Sequence, residues 1–254
     1  MKDTIRVATL NLRNASDRWL ERAPLLLAQF VELAPDVIGV QEIHVPTRQG
    51  EWIVRKVNER LPDDAAPYVL HQANKTGFQG KREGIGIMTR LPTLSHDSID
   101  LRGGHRVALR ARLRAPDGGV FDFYNTHLHH EASAGDMRLA QARRIIEWMA
   151  THDDVPSILV GDLNATPDMP PVGAVGERLR SAYALVHGCE SAGTVPTPLN
   201  AVWGQRPAKT IDYIFVDDRV RVHDARIVFD RVDANDERLC ASDHYGIVAE
   251  VSFV

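Results

Sequence analysis

The 254-residue chain has two cysteines, Cys189 and Cys240. They are too few for a disulfide framework and lack the spacing of a thiolate metal site, so free thiols are expected. Aromatic residues make up 6%, and no run of aromatics interleaved with basic residues, of the kind that stacks bases, stands out. No apolar run is long enough to span a membrane. The opening MKDTIRVATLNLR runs directly into a strand-like pattern without the apolar core of a secretory leader, and a cytoplasmic location is expected. Positive charge is not in excess either. The formal net charge of -4 argues against a protein that holds DNA mainly through a basic surface, though not against a nuclease. Only Lys75 to Arg106 is locally basic, with Lys75, Lys81, Arg82, Arg90, Arg102 and Arg106 against Glu83, Asp97 and Asp100. That stretch reads either as a phosphate-facing surface or as a solvated one.

What is present is an ordinary globular balance, 44% apolar and 25% charged, in a chain long enough for one large domain or two small ones. Ile5 to Leu10 reads as a strand, Pro24 to Leu33 as a helix opened by its proline, and Val37 to Val40 as a second strand. Trp52, Ile53, Val57 and Leu61 fall at helical spacing within Gly50 to Leu61. A strand-rich middle follows, at Tyr68 to Gln72, Gly84 to Thr89, Arg106 to Arg114 and Val120 to Thr126, with the turn Pro116-Asp117-Gly118-Gly119 marking a hairpin. Asp136 to Ala150 is amphipathic and leads into the strand Ser157 to Val160. Thr166 to Gln205 reads as loops with short helices, and Ile211 to Val216 and Ile247 to Phe253 as closing strands. No repeat or linker interrupts the chain. One domain over residues 1–254 is expected, two packed sheets with helices outside.

Several apolar strands finish on one polar side chain. Val7-Ala8-Thr9-Leu10 meets Asn11; Val37 through Gln41 meets Glu42; Phe121 through Thr126 meets His127; Ile158 through Gly161 meets Asp162. Strands fix such side chains rigidly enough to converge on a cleft. Asp212 sits inside Ile211-Asp212-Tyr213-Ile214-Phe215-Val216, apolar on both faces, where an unpaired carboxylate is costly. A histidine is its natural partner, an arginine the alternative. Ser242-Asp243-His244 precedes the last strand and suggests an imidazole held in one tautomer by Asp212, as a general base for water requires.

Asn11, Glu42, His127 in Asn125-Thr126-His127-Leu128, Asp162 and Asn164 in Gly161-Asp162-Leu163-Asn164, Asp212, and Ser242-Asp243-His244 together resemble, in type and order, the endonuclease/exonuclease/phosphatase superfamily over nearly the whole chain. The resemblance implies an α+β fold, a four-layer α/β/β/α sandwich of DNase I-like type with its site at one edge of the two sheets. It further implies Glu42 as principal metal ligand with Asn11 and Asp243 near it, Asp162 as a ligand to a second ion, His244 as base and Asp212 as its orienting carboxylate. By the same likeness Asp162 and Asn164 position water and phosphate, His127 contacts a phosphate oxygen, Glu83 is the acid paired with His127, and Arg106 binds phosphate.

Oxygen ligands without a thiolate or multi-histidine cluster favour Mg²⁺ or Mn²⁺ over Zn²⁺. His244 is preferred to Asp162 as base because neutral imidazole titrates near the working pH. Lys209 stands near a point where many relatives have an arginine. His129, His130 and Glu131 read as exposed loop residues, with an auxiliary metal or leaving-group role as the alternative. The expected activity is divalent-metal-dependent phosphohydrolysis of a phosphoester by activated water, with nucleic acid the leading substrate class. A lipid-headgroup phosphodiesterase, a sugar- or inositol-phosphate phosphatase and an inactive binding protein are the alternatives. A monomer is the default.

Overall fold

The structure, a computed structural model, describes residues 4–254; Met1 to Asp3 of the leaderless N-terminal reading lie outside the described residues. In chain order the elements are β1 Ile5–Asn11, α1 Trp19–Leu33, β2 Val37–His44, α2 Gln49–Asn58, β3 Val69–Asn74, β4 Glu83–Thr89, β5 Thr93–Asp100, β6 Val107–Arg114, β7 Val120–His127, α3 Gly135–Ala150, β8 Ser157–Asp162, α4 Pro170–Gly176, β9 Arg180–Ser181, α5 Ala182–His187, β10 Asp212–Val216, β11 Val220–Val228, β12 Val232–Asp233, β13 Asp236–Cys240 and β14 Gly246–Phe253.

Two six-stranded sheets carry the fold, ordered β11-β14-β1-β2-β4-β3 and β5-β6-β7-β8-β10-β9. Each has a single parallel pair, β1 with β2 and β7 with β8, flanked on both sides by antiparallel neighbours. Those parallel pairs are bridged by α1 and α3, because a parallel connection needs a crossover. The two sheets thus repeat one strand pattern, although the sequence shows no repeat.

Three apolar clusters make the layers. Val7, Ile87, Leu109, Phe123, Val160 and Ile214 belong to the core between the sheets. Leu10, Ile38 and Val40 on the outer face of the first sheet pack with Leu26, Phe30 and Ile53 of α1 and α2. Tyr124, Leu159 and Tyr213 on the outer face of the second pack with Ile145 and Met149 of α3 and Val172 and Val175 of α4. The result is the α/β/β/α sandwich.

The structure departs from the sequence expectation at several boundaries. Helix α1 begins at Trp19, which puts Pro24 in the second turn rather than at the start; the buried face continues upstream through Ala23 and Arg22. Strand β2 runs on to His44 and so takes in Glu42. Strands β5 and β11 were not expected: β5 is an edge strand with little buried surface, so its side chains carry no alternation to read. Cys189 is exposed, Cys240 is buried, and both are free. Among the described residues no helix is long and apolar enough to cross a membrane.

Candidate active site

Strand register assembles the second sheet's contribution. His127 ends β7 opposite Asp162 of β8, and Asp162 stands opposite Asp212 of β10, so three titratable side chains on three adjacent strands form one row. The approach of β7 to β8 depends on Gly161, whose φ of 142° and contact with the Thr126 carbonyl leave no room for a Cβ. From the first sheet come Asn11, ending β1, and Glu42. The latter sits at a bulge in the pairing of β2 with β4, with φ 57°, and a bulge re-aims the side chain it carries. The Ser242-Asp243-His244 loop is tied to β1 by Ser242 Oγ, which donates to the Asn11 carbonyl at 2.6 Å.

At the centre, Asn11 Nδ2 donates to Glu42 Oε1 at 3.3 Å and Asp162 Oδ2 at 3.0 Å, while its own oxygen accepts from Arg13 N–H. Asp162 Oδ1 accepts from the Asn164 amide at 2.8 Å. His127 Nε2 and His244 Nε2 lie 3.4 and 3.9 Å from Asp162 Oδ2. On the far side of the imidazole, His244 Nδ1 meets Asp212 Oδ2 at 2.9 Å, and the same oxygen accepts from Thr194 Oγ1 at 2.6 Å. Asp212 is fully buried, and its other oxygen has no hydrogen-bond partner. Asp243 Oδ2 lies 3.4 Å from Arg13 Nε and 3.5 Å from Asn200 Nδ2.

Burial and crowding of negative charge push the carboxyls up. Asp162 is raised to about 7 by desolvation and the nearby Asp212 charge. Glu42 is raised by desolvation, then by Glu83 and Asp243. For His244, burial favours the neutral ring, but the charge and hydrogen bond of Asp212, with Asp162 and Asp243 behind, prevail and hold it well above the ordinary histidine value. His127 goes the opposite way: burial, Arg106 and Lys75 hold it well below.

A second group lies beside this one. Glu83, expected next to His127, is engaged by Lys75 Nζ at 2.5 Å and Arg106 Nη1 at 3.5 Å. His127 faces Asp162 instead, and its Nδ1 has no partner. The reason is electrostatic: two cations compete for one carboxylate, and a neutral buried ring cannot displace them. Arg106 is buried, with Nη2 3.2 Å from His130 Nδ1. His129, read as exposed, is buried beneath Gly104, and its amide donates to Gln141 Oε1; His130 and Glu131 are exposed.

Sequence reasoning missed Lys75, Thr194, Asn200 and Arg22 as parts of this neighbourhood. Arg22 is fully buried at the start of α1 and donates to the carbonyls of Leu12, Arg13, Asn14, Ser16, Asp17 and Ala241. It joins the loop after Asn11 to the residue before Ser242. Lys75 had a signal, its place in the basic stretch. Thr194 and Asn200 had none, since polar residues in a loop are ordinary.

Among the described residues, Asp162, Asp212 and His244 each bring a ligand-type atom within 4.8 Å of the others. Asp212 Oδ2 and His244 Nδ1 are already bonded to one another, so the acceptors left to a cation at this end of the sheets are the oxygens of Asp162, Glu42 and Asp243. Two of these carboxyls are raised, first by burial and then by their neighbours' charge, and an oxygen-rich, charge-crowded donor set of this kind fits a hard divalent ion.

The chain is 28% identical over 172 residues to Protein angel of Drosophila melanogaster, covering 61% of this chain and 46% of that protein. It is 29% identical over 187 residues to Drosophila melanogaster Nocturnin, covering 66% and 28% respectively. The chain therefore spans less than half the length of these curated relatives. Its fold is similar to that of the mannosyl-6-phosphatase Bt3783 of Bacteroides thetaiotaomicron, with a TM-score of 0.79 and 22% identity over 98% of this chain and 100% of the other. It is also similar to D. rerio TDP2 complexed with single strand DNA product, with a TM-score of 0.78 and 18% identity over 99% and 100%. The family model described as Endonuclease/Exonuclease/phosphatase family matches residues 8–244, a span that holds every side chain of the candidate site, and this chain belongs to that family.

Proposed function

We propose that the chain is a divalent-metal-dependent phosphohydrolase that cleaves phosphodiester bonds by attack of water, acting as a nuclease. The observation that carries this reading is the Asp212–His244–Asp162 arrangement. Asp212 fixes Nδ1 of the imidazole at 2.9 Å, leaving Nε2 turned toward Asp162 at 3.9 Å. In its neutral form an imidazole held in this way offers Nε2 as the atom that takes the proton of an attacking water, so the rate should rise with pH through the raised value of His244.

Around that atom the other side chains have definite work. Asp162, itself fixed by the Asn164 amide, orients the water on the Nε2 side. Asn164 and His127 donate to phosphate oxygens, and Arg106, held near Glu83, offsets phosphate charge. Glu42, Asp243 and Asp162 would hold the cation, with Asn11 bridging Glu42 and Asp162. Bound there, a Mg²⁺ or Mn²⁺ ion would neutralise charge on the phosphoryl oxygens. Glu83 keeps Lys75 and Arg106 in place.

A nuclease is preferred because one of the similar structures is a TDP2 complexed with single strand DNA product. Likeness to a mannosyl-6-phosphatase supports a second reading, a sugar-phosphate phosphatase, in which Lys75 and Arg106 would receive a dianionic monoester.

Both are tested with the purified chain on single- and double-stranded DNA, RNA, sphingomyelin, inositol phosphates, mannose 6-phosphate and simple mono- and diesters, with Mg²⁺, Mn²⁺ or chelator. Metal-stimulated cleavage is expected, falling on the order of 10²- to 10⁴-fold in His244→Ala, the usual weight of a general base. Full activity of that variant, or turnover indifferent to chelation, overturns the mechanism.

A further inference from the structure

Among the phenylalanine, tyrosine and tryptophan side chains of the described residues, Phe78 and Trp203 are the exposed ones, at 64% and 40%. Scattered exposed apolar side chains are common and usually mean nothing. Three observations set these two apart.

Each has a guanidinium over its ring: Arg82 lies 5.0 Å from the Phe78 centroid and Arg238 lies 5.6 Å from that of Trp203. Each is tied to the candidate site. Trp203 donates its amide to the Asn200 carbonyl, Arg238 Nη2 donates to the same oxygen at 2.8 Å, and Asn200 Nδ2 reaches Asp243. Phe78 sits on the short 3₁₀ turn Gly77–Lys81, between Lys75 and its partner Glu83, and the Thr76 amide bonds the His105 carbonyl next to Arg106. Finally, the two stand beside different parts of the site, Trp203 by Asp243 and Phe78 by the Lys75–Glu83–Arg106 group.

An exposed ring with an arginine alongside offers a flat apolar face and a cation together. That is what stacks a nucleobase while meeting its phosphate. Duplex bases have both faces covered, so the ligand that uses such a ring is unpaired. We infer that Phe78 and Trp203 are stacking platforms for bases on either side of the scissile phosphate, and that the substrate is a single-stranded nucleic acid. The inference rests on the phosphodiesterase reading and narrows it. It also fits a chain of net negative charge: affinity comes from stacking and from a few local cations, not from a broad basic surface.

The test is binding, measured by fluorescence anisotropy with His244→Ala so that the labelled strand survives. Four probes of equal length are used: single-stranded DNA, single-stranded RNA, a duplex and an abasic single strand. The base-bearing single strands are expected to bind more tightly than the duplex or the abasic strand, with DNA against RNA identifying the sugar. Adding Trp203→Ala or Phe78→Ala should weaken binding of the base-bearing strand roughly 5- to 150-fold, the range of one stacking contact, with little change for the abasic strand. Trp203→Phe should recover most of the loss. Tryptophan fluorescence should be quenched on binding and lose that response in Trp203→Ala. Equal binding of the abasic strand, preference for the duplex, or undiminished affinity in both alanine variants overturns the proposal. Binding of this pattern by a parent chain that cleaves no phosphoester would leave the platforms standing and sink the hydrolytic reading, so the two failures are separable.

Discussion

One oxygen of Asp212 serves both Thr194 and His244, while the other is buried without a partner. A carboxylate held so deep keeps its charge only through such partners. Asp212→Asn should therefore preserve shape and remove charge. We expect kcat to fall about 10²- to 10⁴-fold, as when an orienting carboxylate is neutralised elsewhere. The pH–rate limb belonging to His244 should also move to lower pH, because the Asp212 charge is what raises that imidazole against its burial. An unshifted limb would show that His244 is not the titrating base. At this scale the sequence was informative where a polar residue broke an apolar strand, as at Asp162 and Asp212. It was silent on Asn200 and Thr194, whose importance comes only from what the fold sets beside them. Glu83 marks the limit of a family likeness: the residue is near the site, but its charge is taken by Lys75 and Arg106.

Among the elements, α1 does more than cover the first sheet. Its Arg22 spans two loops, one following Asn11 and one preceding Asp243 and His244, through carbonyl oxygens alone. Arg22→Ala should cost about 3 kcal/mol or more in urea unfolding, since several buried carbonyls lose their donor together. Activity should be lost more steeply than folded protein is lost. A variant as stable as the parent would show that the loops hold themselves. The helix was only half legible in advance because its apolar spacing begins clearly at Pro24, whereas its first turn is held by a buried arginine that reads as a surface charge. The strands β4, β8 and β10 were legible because each carries a continuous apolar stretch, at residues 84–88, 158–161 and 213–216, and β1, β7 and β14 because β-branched and aromatic residues dominate them in spite of Arg6, Asp122 and Glu250. The edge strand β5 was not, since its exposed residues show no alternation.

For the molecule as a whole, the crowded carboxyls link stability to pH and to metal. Asp162 is raised to about 7 from an ordinary 3.8. Between those values the metal-free folded chain binds a proton that the unfolded chain has released, so its stability falls as pH rises through that window. The raised His244 acts in the same direction, its contribution being full below the ordinary histidine value and lost as pH rises through its folded one. Mg²⁺ should therefore raise the midpoint of thermal unfolding more at pH 8 than at pH 5, where it must displace a proton. Equal gains at the two pH values would place the cation away from Asp162. The layered architecture could be anticipated from the alternation of strands and helices, but the shared strand pattern of the two sheets could not, because it is carried by pairing and not by similar residues.

Strand β14 lies between β11 and β1 in the first sheet, with Arg6 paired to Glu250 across almost the full chain. A ribosome delivers β1 long before that partner. Until β14 emerges, β1 has an open edge where a foreign strand could pair, and the imidazole next to β14 has not joined Asp162. Synthesis thus leaves the contact between His244 and Asp212 unmade until every strand before β14 has been made.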